Sequence, residues 1–67
     1  MSIARITEIS ATSPESFEHA VRNGVERASK SLRNVKGAWV KEQEVVVENG
    51  QATEFKVILK VTFILDD

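Results

Sequence analysis

The chain has 67 residues, with nine Lys or Arg against ten Asp or Glu for a net charge of −1, one histidine and no cysteine. That inventory excludes a disulfide framework and a thiolate metal centre, leaves no set of zinc ligands, and supplies no basic stretch for nucleic acid. A chain this short hides only about 60% of the surface its unfolded form exposes. Ordering costs roughly 1.5 kcal/mol per residue, so association with copies of itself is the support that remains.

Residues 2 to 10 intersperse Ile3, Ile6 and Ile9 with Arg5, Thr7 and Glu8. The β-branched content predicts a strand. Single apolar residues separated by polar ones make neither a secretory leader nor a membrane span, and a cytoplasmic protein is expected.

The run Thr12-Ser13-Pro14-Glu15 reads as a helix start. Ser13 is the expected N-cap, Pro14 the first helical residue, and Glu15 a favourable charge for the dipole. Beyond it Phe17, Ala20, Val21, Gly24, Val25, Ala28 and Leu32 recur at steps of three and four. That spacing predicts one amphipathic helix over 14–33. Glu18 with Arg22 and Glu26 with Lys30 are i,i+4 pairs on its charged face. Gly24 lies inside the apolar stripe, where alanine would favour the isolated helix by about 1 kcal/mol, so close packing on a sheet is expected there.

Asn34-Val35-Lys36-Gly37 should end the helix, and Ala38 to Glu48 reads as a strand. Asn49-Gly50 is a strong signal for a two-residue type I′ hairpin. The return strand alternates Phe55, Val57, Leu59, Val61, Phe63 and Leu65 on the face that should cover the helix. The predicted fold is α+β: a β-α-β-β chain, residues 1–67 forming a single domain, with a three-stranded antiparallel sheet wrapped on one helix.

With a two-residue turn, paired positions sum to a constant. Trp39 is then expected opposite Lys60, Lys41 opposite Ile58, and Gln43 opposite Lys56, all facing away from the helix. This face is half apolar and half cationic, and Val45-Val46-Val47 is apolar on both faces, a pattern suited to burial against other subunits. Long sheet edges invite the same pairing between copies.

No nucleophile with a base, metal cluster or phosphate-binding glycine loop is present in the sequence, and the chain is read as a non-enzyme without catalytic residues. His19 is read as a solvated side chain on the charged helix face. Glu42, Glu44 and Glu54 are too few for the six to eight oxygens calcium takes, and pairing with lysines of another subunit suits them better. Trp39 has two readings, a buried interface anchor or a stacking platform for a planar ligand. Lys56 and Lys60 on the same face suit a phosphate or carboxylate.

The segments Ser13-Pro14-Glu15-Ser16-Phe17, Arg27-Ala28, Leu32-Arg33-Asn34-Val35 and Val61-Thr62-Phe63-Ile64-Leu65-Asp66, in this order of elements, resemble the dodecin family over nearly the whole chain. The resemblance implies a hollow homododecamer that stores a flavin, riboflavin or FMN, between subunits. Read without gaps, it puts the family's ring-stacking position at Gly37 and its ring-edge hydrogen-bonding position at Lys56. Both depart from the tryptophan and glutamine of flavin-binding members. The segment Val40-Lys41-Glu42-Gln43 is closer to family members without the stacking tryptophan, some of them calcium-associated. The candidate ligand-binding residues are therefore Trp39, Lys56, Gly37 and Gln43, with a flavin as the expected ligand, calcium as the alternative, and no residue assigned to a metal.

Overall fold

The computed structural model describes residues 3–65. Its elements run β1 (Ala4–Ser13), α1 (Phe17–Ser31), β2 (Val35–Glu48) and β3 (Gln51–Ile64). The sheet order is β1-β3-β2 with both pairings antiparallel, so β3 is the middle strand and the β-α-β-β prediction holds.

β1 runs three residues further than the predicted strand, and α1 starts correspondingly later. Pro14 explains the shift, because a residue before proline is driven toward extended backbone and Ser13 therefore stays in the strand, opposite Phe55. The N-cap is Ser16, not Ser13: its extended backbone (φ −170°) turns its hydroxyl to accept the His19 amide at 2.9 Å. Pro14 accordingly lies before the helix and not at its first position. At the far end the Leu32 amide still donates to the Ala28 carbonyl, and Asn34 takes the left-handed conformation (φ 60°) that turns the chain into β2. Gly37, expected in the helix stop, lies within β2.

The core forms where α1 rests on the middle strand. Val57, Leu59 and Val61 are fully buried beneath Ala20 and Ala28, with Phe17, Val21, Val25, Leu32, Ile9, Ala11 and Val35 around them. Leu65, expected to continue this face, is exposed beyond the end of β3. Gly24 is the closest approach: a Cβ there would stand 2.9 Å from Leu59 Cδ1 and 3.2 Å from the Ala11 Cβ. The helix sits close to the sheet because this position has no side chain.

Helix and hairpin differ in length. Fifteen helical residues rise about 22 Å, whereas strands of 14 residues extend about 46 Å. Half of the hairpin therefore projects past the helix, and Val45 and Val47, which continue the helix-side face of β2, are exposed. The turn itself is the expected one, with Asn49 at φ 52° and Gly50 at φ 75°.

The hairpin register departs from the constant-sum rule. Glu48 pairs with Gln51 and Val47 with Ala52 as the turn dictates, but Thr53 is an extra residue on β3, and from Val46 to Glu42 every pairing slips by one. Lys41, an extra residue on β2, restores the register, so that Val40 pairs with Leu59 and Trp39 with Lys60. Gly37 stays in this register opposite Thr62, and a third irregularity at Lys36 sets Val35 opposite Phe63.

Candidate functional site

The face of the sheet away from α1 carries Lys56, Ile58, Lys60 and Thr62 of β3, at alternate positions from the buried valines and leucine. β1 brings Thr12, Ser10, Glu8 and Ile6 opposite them, and β2 brings Glu44, Glu42, Trp39 and Gly37. The slipped register corrects two expected pairings: Ile58 lies opposite Glu42, not Lys41, and Lys56 opposite Glu44, not Gln43. Gln43 instead pairs with Val57, in phase with the helix side, and so leaves the predicted row. Trp39, Gly37 and Lys56 remain on the open face.

Two contacts organise this face. Lys60 Nζ lies 5.7 Å from the centroid of the Trp39 ring, within cation–π range. Lys41 Nζ donates to Glu8 Oε1 at 3.0 Å, which ties β2 to β1 above the middle strand. The hydrogen bond and the charge of Glu8 raise the Lys41 pKa, and Glu42 adds to the effect. Next to these contacts a shallow depression of about 480 Å³ is lined by Glu42, Gln43, Glu44, Lys56 and Ile58.

Trp39 is 47% exposed and, among the described residues, the one aromatic side chain on an open face that otherwise mixes charged, polar and aliphatic residues. Nothing lies within 4 Å of where a Cβ of Gly37 would project, so the neighbouring position on the same strand face is open space. A planar ring can approach Trp39 from this side, and Lys60 stands beside it as a point charge. The fit for a flavin is therefore partial. A stacking surface exists two residues from the family's position, while Lys56 replaces the amide expected at the ring edge. The fit for calcium within one chain is poorer. Among the described residues no group of three or more His, Cys, Asp or Glu stands close enough to hold a metal, whereas calcium takes six to eight oxygens.

His19 departs from its sequence reading. Instead of standing free in solvent it lies 2.6 Å through Nδ1 from the hydroxyl of Ser13, which is 1% exposed. The expected Glu18–Arg22 ion pair is present at 3.6 Å.

Taken together, these features define a two-faced β-α-β-β protein whose sheet is closed on one side by a helix and open on the other. The dodecin family model matches residues 3–66, and the chain belongs to this family. The calcium dodecin of Mycobacterium tuberculosis is 33% identical over 63 residues, spanning 94% of this chain and 89% of that protein. Among solved structures, the dodecin from Streptomyces davaonensis gives a TM-score of 0.92 at 39% identity, covering 98% of this chain and 97% of that one. The structure of the M. tuberculosis calcium dodecin, described as calcium-chelating with a novel calcium-binding site, gives 0.83 at 31% identity, covering 97% and 93%. Among the described residues no helix is long and apolar enough to cross a membrane.

Proposed function

We propose that the chain assembles into a hollow homododecamer that, without catalysing a reaction, binds and stores a planar small molecule, a flavin such as riboflavin or FMN, on the open face at Trp39. The observation that carries the ligand reading is the half-exposed Trp39 ring with open space over Gly37 and the Lys60 ammonium at its side. Lys56 borders the adjoining depression from the open face and is the remaining side-chain contact of the proposed site, while Gln43 lines the same depression from a position in phase with the helix side.

The shape of the subunit supports assembly. Its accessible surface is 5003 Å², where a compact protein of 7.5 kDa would expose about 4,200 Å². Its radius of gyration is 13.7 Å, against about 11 Å for a compact chain of this length. Ile6, Val40, Val45 and Val47 are exposed, and both β1 and β2 have a free edge. A two-stranded ribbon such as the projecting half of the hairpin is marginal in water and gains stability when packed.

Absorbance of the purified protein and quenching of riboflavin and FMN fluorescence test the ligand. An unchanged flavin emission at micromolar protein would end the flavin reading. Light scattering tests the shell, since a mass near 7.5 kDa in place of about twelve times that value would remove it.

A second reading, a shell that holds calcium and no flavin, is favoured by the calcium dodecin relative and by Glu42 and Glu44 sharing the open face. One chain brings too few oxygens, so several copies would have to contribute around a common ion. Calcium titration by calorimetry separates the two: heat with calcium, loss of assembly with chelator and silence with flavin select this alternative.

A further inference from the structure

The subunit is 51 Å long, and its two ends are alike in baring apolar side chains and opposite in charge. Phe17, the first residue of α1, packs edge-on against Phe55 with ring centroids 5.2 Å apart, so the hairpin is uncovered from this level to its turn. Val45 lies at that level and Val47 beyond it, both exposed on the helix-side face. Their neighbours are carboxylates: Glu44 and Glu48 flank them on β2, and Glu54 of β3 pairs with Val46.

At the other end the Leu65 amide donates to the Ile3 carbonyl at 3.0 Å and continues the β1–β3 ladder past Ala4 and Ile64. Ile3 and Leu65 are 61% and 42% exposed, in phase with Arg5 and Phe63 and therefore on the helix-side face as well. Here the neighbours are cations: Arg5, Lys36 at the third register irregularity, and Lys30 in the last turn of α1. Among the described residues, Glu44, Glu48, Glu54, Arg5, Lys30 and Lys36 form no ion pair within the chain.

We propose that these two ends meet between successive copies of the chain, Val45 and Val47 of one subunit packing on Ile3 and Leu65 of the next while Glu44, Glu48 and Glu54 face Arg5, Lys30 and Lys36. The inference rests on the reading of the chain as a self-assembling shell and gives the contacts of that shell a direction. Hairpin end against hairpin end would crowd carboxylates together, and the reverse pairing would crowd cations, so like ends repel at close range. Unlike ends attract, and joining them takes the four apolar side chains out of water. The subunit exposes about 800 Å² more than a compact chain of its mass, of the order that one partner gives to a standard interface. A head-to-tail contact uses different patches on the two partners, so it repeats from copy to copy until the set closes.

The chain has no cysteine, so a thiol can be placed at either end without competition. The levels of Val47 and Ile3 are separated along β3 by about 43 Å, beyond the reach of a short bismaleimide within one chain. In the full chain carrying Val47→Cys and Ile3→Cys together, this reagent should link several copies into a ladder on a denaturing gel, while either substitution alone leaves single chains. Dimers from one substitution alone would show like ends in contact and overturn the proposal. A double variant that keeps the assembled mass in light scattering yet forms no ladder would overturn it and leave the shell reading standing; a native chain that scatters as a single subunit removes both. Charge reversal decides the matter if the cysteines themselves disturb assembly. Glu48→Lys with Glu54→Lys, and Arg5→Glu with Lys36→Glu, should each cause loss of assembled mass at low salt, and all four substitutions in one chain should recover it. Assembly that is indifferent to either reversal, or not recovered by their combination, would overturn the proposal.

Discussion

Lys41 of β2 reaches Glu8 of β1 at 3.0 Å, so the two outer strands are joined over the middle one by a side-chain contact. Both groups are solvent-accessible, and the pair should respond to salt as a surface contact does. Glu8 raises the Lys41 pKa. Its contribution to stability is therefore complete at neutral pH and disappears only as pH rises through the raised lysine value. Lys41→Gln should lower the thermal midpoint slightly at neutral pH and low salt, with the difference vanishing in strong alkali or at high salt. An unchanged difference across the alkaline range would show that the pair contributes nothing.

At Gly24 two effects oppose each other. Alanine favours the helix by about 1 kcal/mol, but its methyl would stand 2.9 Å from Cδ1 of the fully buried Leu59 and 3.2 Å from the Ala11 Cβ. Overpacking of this kind costs about 1–3 kcal/mol, so Gly24→Ala should be destabilising overall. Denaturant titration checks the sign, and pairing it with Leu59→Val, which removes the obstructing methyl, should make the alanine less harmful than it is alone.

The hairpin turn makes a simpler prediction. Gly50 holds φ 75°, a conformation that costs an L-residue roughly 1 kcal/mol or more. Gly50→Ala should lower stability by about that amount, with no effect on the open face some distance along the strands. A midpoint equal to the native one would mean that the turn relaxes at no cost.

Trp39 is the sole tryptophan of the chain, so its emission reports on the open face alone. Lys60→Met removes the charge 5.7 Å from the ring, and a change in emission without a change in fold is expected. If a planar ligand stacks there, Trp39→Ala should weaken its binding about tenfold, given stacking worth about 0.5–1.5 kcal/mol beyond burial. Retained affinity in this variant would place the ligand elsewhere.

Much of the fold was legible because its signals are local and redundant. The stripe from Phe17 to Leu32, the strict alternation from Phe55 to Phe63 and the Asn49-Gly50 turn each carry a period or a conformational requirement that few other structures satisfy. The helix start was misplaced because Ser13 and Ser16 are chemically equivalent caps. The choice between them rested on Pro14, which keeps its predecessor in the strand. The open face was legible only in part. Trp39 opposite Lys60 follows from the turn, but Thr53 and Lys41 have no glycine or proline to mark them as extra residues, so the slip that exchanges Gln43 for Glu44 beside Lys56 leaves no trace in composition. The Ser13–His19 contact was missed for a different reason. A histidine on a polar helix face reads as solvated unless the preceding loop is known to fold back against it.

The extra residue at Lys41 has a consequence of parity. On β2 the open face is occupied by even-numbered residues on the turn side of Lys41, Glu42 and Glu44, and by odd-numbered ones beyond it, Trp39 and Gly37. With strict alternation and no extra residue, the phase set by Glu42 and Glu44 would carry Val40 onto the open face and turn Trp39 toward the helix. One inserted amino acid thus decides which half of an alternating sequence is displayed. Along this strand the loss or gain of a single codon would change the chemistry of the open face more than most substitutions made directly upon it.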